Sequence, residues 1–345
     1  MKKLSAVDLF CGCGGLTQGL RDAGFTVVGA VDNDDYALEA YRANHRRVRV
    51  WSADIRRVSA DRMRKDLKLR KGQLALLAGC PPCQGFSTVR TLNGSRRVED
   101  ERNDLLFDFL RFVRAFRPRA LMLENVPGLV SDQRFKRFVA KLHSLKYGVE
   151  YRIVNAADHG VPQRRKRLIL LAHAHNGKVE FPTGTTEMVT VRQAIGYLPP
   201  AGKSGDPLHD VTEKRSEKVS KLIALVPKNG GSRSDLPRRM RLKCHRKLRG
   251  FYDIYGRMAW NDVAPTITSG CHNPSKGRFL HPVRNRAITL REAAVLQGFP
   301  VKYRFPEEIK KERISLMIGN ALPPPLITSH ANVVRSKLRI KNGGN

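Results

Sequence analysis

The chain has 345 residues and is 41% hydrophobic, which excludes a mainly disordered polymer and points to a large and a small domain. Its 64 Lys and Arg against 31 Asp and Glu leave +33, a charge that fits a polyanionic partner such as nucleic acid, through phosphate neutralisation, better than an anionic membrane. Met1-Lys2-Lys3 leads into a short apolar run rather than a signal-peptide core, no apolar stretch approaches the ~18 residues that span a bilayer, and the 6 cysteines lack secreted disulfide spacing, so a reducing cytoplasm is expected.

In chain order, Leu4–Phe10 predicts a strand, followed by a glycine turn and a helix over Leu16–Ala23. A strand at Thr26–Val31, a helix at Tyr36–Asn44 and a strand ending near Ala53 come next. Leu74–Ala78, Ala120–Leu123 and Arg167–Leu171 read as buried strands, with an amphipathic helix, Leu105–Phe116, between the first two. This rhythm predicts parallel βαβ units and an α/β doubly wound sheet. From about Phe181 the texture changes: Gly and Pro become frequent, and residues 201–260 carry 15 Lys and Arg against 6 Asp and Glu. Pro237–Arg249 is the densest basic run, and as part of an irregular insert it reads as a groove-contacting surface or a solvated face. Regular patterning returns with a helix at Leu290–Gln297 and an apolar stretch at Ile314–Ile318.

The segment Val7-Asp8-Leu9-Phe10-Cys11-Gly12-Cys13-Gly14-Gly15 places a glycine turn between a strand and a helix, where a ligand can approach the backbone closely. Thr17 stands where a dinucleotide fingerprint has its third glycine, which counts against NAD. Asp32 ends the second strand, where a carboxylate can accept ribose hydroxyls, and Asp54-Ile55 ends the third, where it could hold an adenine edge and face. Each aspartate alone reads better as a helix cap or turn residue; three strand ends opening on one crevice favour a nucleoside.

Gly79-Cys80-Pro81-Pro82-Cys83-Gln84-Gly85-Phe86-Ser87 follows a buried strand. Cys80 and Cys83 could form a redox pair, or half a zinc site with Cys11 and Cys13, but Pro-Pro between the thiols and the poor ligand spacing weigh against both. The third reading is a positioned nucleophile, Cys83, on a proline-stiffened turn.

With these motifs, the ordered set Glu124-Asn125-Val126, Gln163-Arg164-Arg165-Lys166-Arg167, Arg291-Glu292-Ala293-Ala294 through Leu296-Gln297-Gly298-Phe299-Pro300, and Gly319-Asn320-Ala321-Leu322-Pro323-Pro324 resembles the DNA cytosine-C5 methyltransferase family over nearly the whole chain. The resemblance implies a Rossmann-like catalytic domain at 1–180 plus 312–345 that binds S-adenosylmethionine (SAM). It also implies a smaller, irregular, β-rich target-recognition domain at 181–311. It implies a cofactor pocket of Phe10, Gly12, Gly14, Asp32, Asp54, Ile55, Pro81, Leu105 and Asn320. Cys11 and Cys13 depart from the small or aliphatic residues common in that turn.

By the same resemblance, Cys83 is the nucleophile that attacks C6 of a flipped-out cytosine. Glu124 hydrogen-bonds N3 and the exocyclic amine, and Arg165 and Arg167 support the thiolate and hold the cytosine O2 or a phosphate. Gln84 to Asp104 reads as a lid, with Gln84 and Ser87 able to touch DNA. Thr266 and Ile267, in a short Thr-aliphatic signature, are expected to contact DNA near the flipped base, and Arg238, Arg239 and Arg241 to hold phosphate or read guanine edges. Double-stranded DNA is the expected partner, with no membrane and no metal, and the chain is read as a monomer. Without a long regulatory extension it reads as a bacterial or phage-type enzyme, of the kind that works alongside a restriction endonuclease. A tRNA methyltransferase of similar chemistry and an inactive SAM- and DNA-binding regulator are the competing readings.

Overall fold

Short runs, apolar and buried on both faces in the centre and partly exposed at the edges, become the strands of one seven-stranded sheet. In chain order these are β1 (Ser5–Leu9), β2 (Thr26–Asp32), β3 (Arg49–Ser52), β4 (Leu76–Gly79), β5 (Ala120–Asn125), β6 (Tyr147–Asn155) and β7 (Lys166–Ala174), arranged as β3-β2-β1-β4-β5-β7-β6. The structure is a computed structural model and describes residues 3–82, 105–210, 215–241 and 253–340.

Helices α1 (Gly15–Asp22), α2 (Asp35–Asn44), α3 (Ala60–Asp66), α4 (Leu105–Phe116) and α5 (Gln133–Ser144) accompany the sheet. The helix expected at Leu105–Phe116 is present with those bounds, since Phe109, Phe112, Val113 and Phe116 repeat at helical spacing and are fully buried. Arg111 on α4 donates to the carbonyls of Ile55 and Val58, both at 2.6 Å, and so fixes the turn after β3. On α1, a Cβ at Gly15 would lie 2.3 Å from the Leu322 carbonyl oxygen, and one at Gly19 2.5 Å from that of Pro324. These two glycines are the flat strip on which the C-terminal helix, Pro324–Ile340, packs.

The parallel rhythm holds from β1 to β5, but β7 runs antiparallel to both β5 and β6. The link between β6 and β7 holds only a 3-10 turn, Ala156–His159, and a parallel return would need a full crossover. Several elements were not expected, among them the helix Ala60–Asp66, the C-terminal helix, β6 and α5. Strand β6 lies at the sheet edge with Glu150 and Arg152 interrupting its pattern, and α5 buries only Phe135, Phe138 and Leu142.

The chain forms two compact units: Met1–Asn155, Lys166–Gly184 and Leu322–Asn345 in one, Ala156–Arg165 and Thr185–Ala321 in the other. The second unit holds α6 (Val191–Ile195), α7 (Pro207–Asp210), α8 (Glu217–Leu225), α9 (Leu290–Leu296) and α10 (Lys311–Asn320). It is irregular, as expected. Its strand content departs from the β-rich expectation among the described residues, with pairing confined to the bridges Gln163–Ala264, Arg257–Leu280 and Leu280–Ala287. Closely spaced Gly and Pro break the ladders that would extend them. Side chains replace sheet pairing there: Arg257, fully buried, donates to the carbonyls of Ile223, Val226, His281 and Arg284 and to Asn285 Oδ1. Among the described residues no helix is long and apolar enough to cross a membrane.

Candidate active site

Because β1 to β5 are parallel, their C-terminal ends share one edge of the sheet, and β1 is the strand from which the order proceeds both ways. The chain leaves β1 through three left-handed residues, Phe10 (φ 63°), Gly12 (φ 50°) and Gly14 (φ 99°). Gly12 has open space where a Cβ would stand, so the turn offers its backbone to a ligand. The Gly12 N–H donates to Asp32 Oδ2 at 2.8 Å, and the Asp34 N–H donates to Asp32 Oδ1 at 2.9 Å. The carboxylate at the end of β2 thus braces the glycine turn, and burial raises its pKa.

Asp54 caps the 3-10 turn after β3 and accepts from the Arg56 N–H and guanidinium, the latter at 2.6 Å. The Arg56 side chain, first among its partners, holds the Asp54 carboxyl down at about 2. Ile55 and Leu105 are buried in one apolar cluster, with Phe10 half-buried against it. Pro81 is buried, and its carbonyl accepts from Asn125 Nδ2 at 2.9 Å. Eight of the nine expected cofactor residues therefore lie in the first unit, and Asn320 is the exposed last residue of α10 in the second. Cys11 and Cys13 are buried, and burial pushes the Cys13 thiol up to about 12 and that of Cys11 well above its usual value, so both serve as packing groups. Among the described residues no three His, Cys, Asp or Glu side chains converge as metal ligands.

Beneath the turn, Thr17 Oγ1 donates to Asp8 Oδ2 at 2.7 Å and shares a 2.8 Å contact with the Tyr41 hydroxyl. Burial lifts the Asp8 carboxyl from 3.8 to about 8. At neutral pH the folded chain keeps this proton while the unfolded chain has lost it. The Asp8 contribution is therefore complete below pH 4 and is lost as pH rises towards 8. Asp8→Asn, which cannot titrate, is expected to remove that slope. In urea melts the wild-type advantage over the variant should shrink by on the order of 3 kcal/mol between pH 5 and 8. An advantage that stays constant over that range would contradict an Asp8 protonated in the fold.

At the ends of β5 and β7 a second group converges. The antiparallel pairing of these strands brings the start of β7 beside the end of β5, with Glu124 opposite Ile169 and Asn125 opposite Leu168. Arg167 Nε donates to Glu124 Oε1 at 2.8 Å, and the Cys80 thiol donates to Glu124 Oε2 at 2.7 Å. Glu124 is buried, so the guanidinium compensates a carboxylate that water cannot reach freely. Glu124 and Asn125 thus both grip the stretch Cys80-Pro81 that leads to Cys83. Cys83 itself, with Gln84, Ser87 and the rest of the expected lid, lies outside the described residues.

Arg165 is placed differently. It is buried and donates to the carbonyls of Ile267 at 2.9 Å and Gly319 at 2.8 Å, tying three segments of the second unit. Gln163 lies alongside: it accepts the Ile267 N–H and donates to Gln297 Oε1 and the Leu296 carbonyl. The Ile267 side chain is fully buried, whereas Thr266 is half-buried and donates to the Arg164 carbonyl at 2.7 Å. The Ile267 side chain, expected to lie against DNA, instead fills the core of its own unit. Arg239 is exposed, Arg241 donates to the carbonyls of Ser234 and Leu236, and the Arg238 side chain and residues 242–252 are outside the described set. Sequence reading missed the Cys80–Glu124 contact and the Gln163–Gln297 pair. Both lie inside motifs that had been read, and only the fold shows which atoms meet.

Residues 4–336 match the family model of C-5 cytosine-specific DNA methylases. The Type II methylase M.HgiDII of Herpetosiphon aurantiacus is 38% identical, over 93% of this chain and 92% of its own. The Type II methyltransferase M1.HphI of Haemophilus parahaemolyticus is 32% identical, over 96% and 86%. The crystal structure of a DNA modification methyltransferase encoded within an E. coli prophage superposes with a TM-score of 0.72 at 26% identity, covering 98% of this chain and 100% of that one. With the family model spanning nearly the whole chain, the protein belongs to the C-5 cytosine-specific DNA methylases.

Proposed function

We propose that the protein transfers a methyl group from SAM to C5 of a cytosine in a specific double-stranded DNA sequence, through a covalent Cys83–C6 adduct. The observation that supports this most is the buried Glu124 carboxylate, held by Arg167 at 2.8 Å and Cys80 at 2.7 Å, at the root of the segment that carries Cys83. When bound, SAM supplies an electrophilic methyl group on a sulfonium. The residues present suit it: an open, left-handed glycine turn, Asp32 and Asp54 at adjacent strand ends, and an apolar wall of Phe10, Ile55 and Leu105.

Cytosine C5 is a weak nucleophile, and addition of the Cys83 thiolate to C6 makes it enamine-like. C5 then takes the methyl group, a base removes the C5 proton, and the Cys83–C6 bond breaks to restore the ring. Glu124 accepts from the exocyclic amine and from N3 as that nitrogen gains a proton, and stabilising the positive charge there favours addition at C6. Arg167 holds Glu124 and faces the base. Arg165 acts by holding the loop of Thr266 and Ile267 in place. Both ring faces must be reached, so the cytosine leaves the helix, at a cost of about a few kcal/mol. Residues 1–180 with 312–345 carry the chemistry and 181–311 the recognition of the site, and the whole chain's net charge of +33 serves phosphate contact. The Type II names of the relatives support a bacterial, cytoplasmic modification enzyme that works alongside a restriction endonuclease.

Incubation with SAM bearing a labelled methyl group and either duplex DNA or tRNA tests the reading. Label in duplex cytosine, with bisulfite sequencing showing one repeated site, is expected. Label in tRNA alone would overturn the substrate, and label in neither would overturn the activity.

A further inference from the structure

We propose that Cys80 is a positioning residue for the reaction: its thiol holds Glu124 Oε2 ready for the pyrimidine and releases it when the base arrives. The inference rests on the methyl transfer proposed above. Of the two Glu124 oxygens, Oε1 is held by Arg167 Nε at 2.8 Å and Oε2 by the Cys80 thiol at 2.7 Å. Two donors on opposite oxygens fix the plane of the carboxylate, which one donor alone would leave free to turn.

The backbone on either side sets where that thiol stands. The Cys80 N–H donates to the Leu9 carbonyl at 3.3 Å, and the next carbonyl, that of Pro81, accepts from Asn125 Nδ2 at 2.9 Å. Cys80 also differs from Cys11, Cys13 and Cys271, which are buried, whereas Cys80 is half-exposed and aimed at a carboxylate. A thiol is a weak donor. The exocyclic amine of cytosine is a stronger one and can take its place on Oε2, while the C4 carbonyl of thymine has no proton to offer. Cys80 thus keeps the oxygen oriented in the resting protein without competing strongly with the substrate.

Three variants separate orientation from packing: Cys80→Ala, Cys80→Val and Cys80→Ser. Loss of the donor in the alanine and valine variants is expected to lower kcat about tenfold, with KM for SAM and Tm close to wild type. Valine fills the space without donating, so a valine variant as slow as alanine shows that the proton and not the volume matters. Serine restores a donor and should return kcat to within about threefold of wild type. Alanine and valine variants with wild-type kcat, or a serine variant no faster than valine, would overturn the inference while leaving the methyl-transfer reading intact. A wild-type protein that transfers no methyl group would remove both. Should the alanine variant fail to fold, the valine and serine pair still decides.

Discussion

Cys83→Ser is expected to lower methyl transfer by about 10⁴-fold or more while leaving affinity for duplex DNA within a few fold of wild type. The reason is the proton. A cysteine of ordinary pKa, near ~8.5, is a few per cent thiolate at neutral pH, and in the proposed mechanism the thiolate is the species that adds to C6. A serine hydroxyl in the same place has essentially no alkoxide to offer at neutral pH. DNA affinity, by contrast, comes chiefly from phosphate contacts, which a sulfur-to-oxygen exchange does not touch. Methyl incorporation and gel mobility on the same DNA read the two quantities separately. Turnover retained at even a tenth of wild type would remove Cys83 from the nucleophile's role.

The largest structural effect is expected at Arg257. Its buried guanidinium serves Ile223 O and Arg284 O at 2.6 Å, Asn285 Oδ1 at 2.8 Å, and Val226 O and His281 O at 3.0 Å, five oxygens from segments with no sheet to bind them. Burial lowers the pKa of the guanidinium, and the five partners, all neutral oxygens, offset that cost through hydrogen bonds rather than opposite charge. Arg257→Met keeps most of the volume and removes every donor. It is expected to destabilise the fold by about 3–5 kcal/mol, because the carbonyls it leaves behind are buried without partners. Urea melts should show the loss, and amide exchange should rise first around 223–226 and 281–285. An unchanged unfolding midpoint would contradict this account of how an irregular segment holds together.

Much of the first unit was legible in the sequence because its signals are local and periodic. The helix Leu105–Phe116 has aromatic side chains at helical spacing, and β1, β2 and the glycine turn follow one another with a change of period that only a strand–turn–helix can satisfy. The direction of β7 was not legible, since an apolar run buried on both faces looks the same in either sense. Strand β6 escaped because an edge strand carries charge and exposes one side. The same limit applies to the site. Glu124 and Arg167 stand in recognisable motifs, and the fold brings them within 2.8 Å of each other. Arg165 stands in the same motif but spends its guanidinium on the Ile267 and Gly319 carbonyls, a difference that charge and spacing cannot express. Arg257 carries no sequence signal that marks it as a core residue, yet it is fully buried.

The central claim is that a sulfur at position 83 bonds to the cytosine ring, and a fluorinated substrate tests it most directly. Duplex DNA carrying 5-fluorocytosine at the methylated position is incubated with the protein and SAM, denatured, and examined by mass spectrometry. Fluorine at C5 cannot leave as the proton does, so elimination stops and the ring stays attached. The account predicts a denaturation-resistant complex whose mass is the sum of protein, DNA and one methyl group, with the linked peptide containing Cys83, and none with Cys83→Ala. Absence of any adduct on a site that the wild-type protein methylates, or attachment through a different residue, would contradict it.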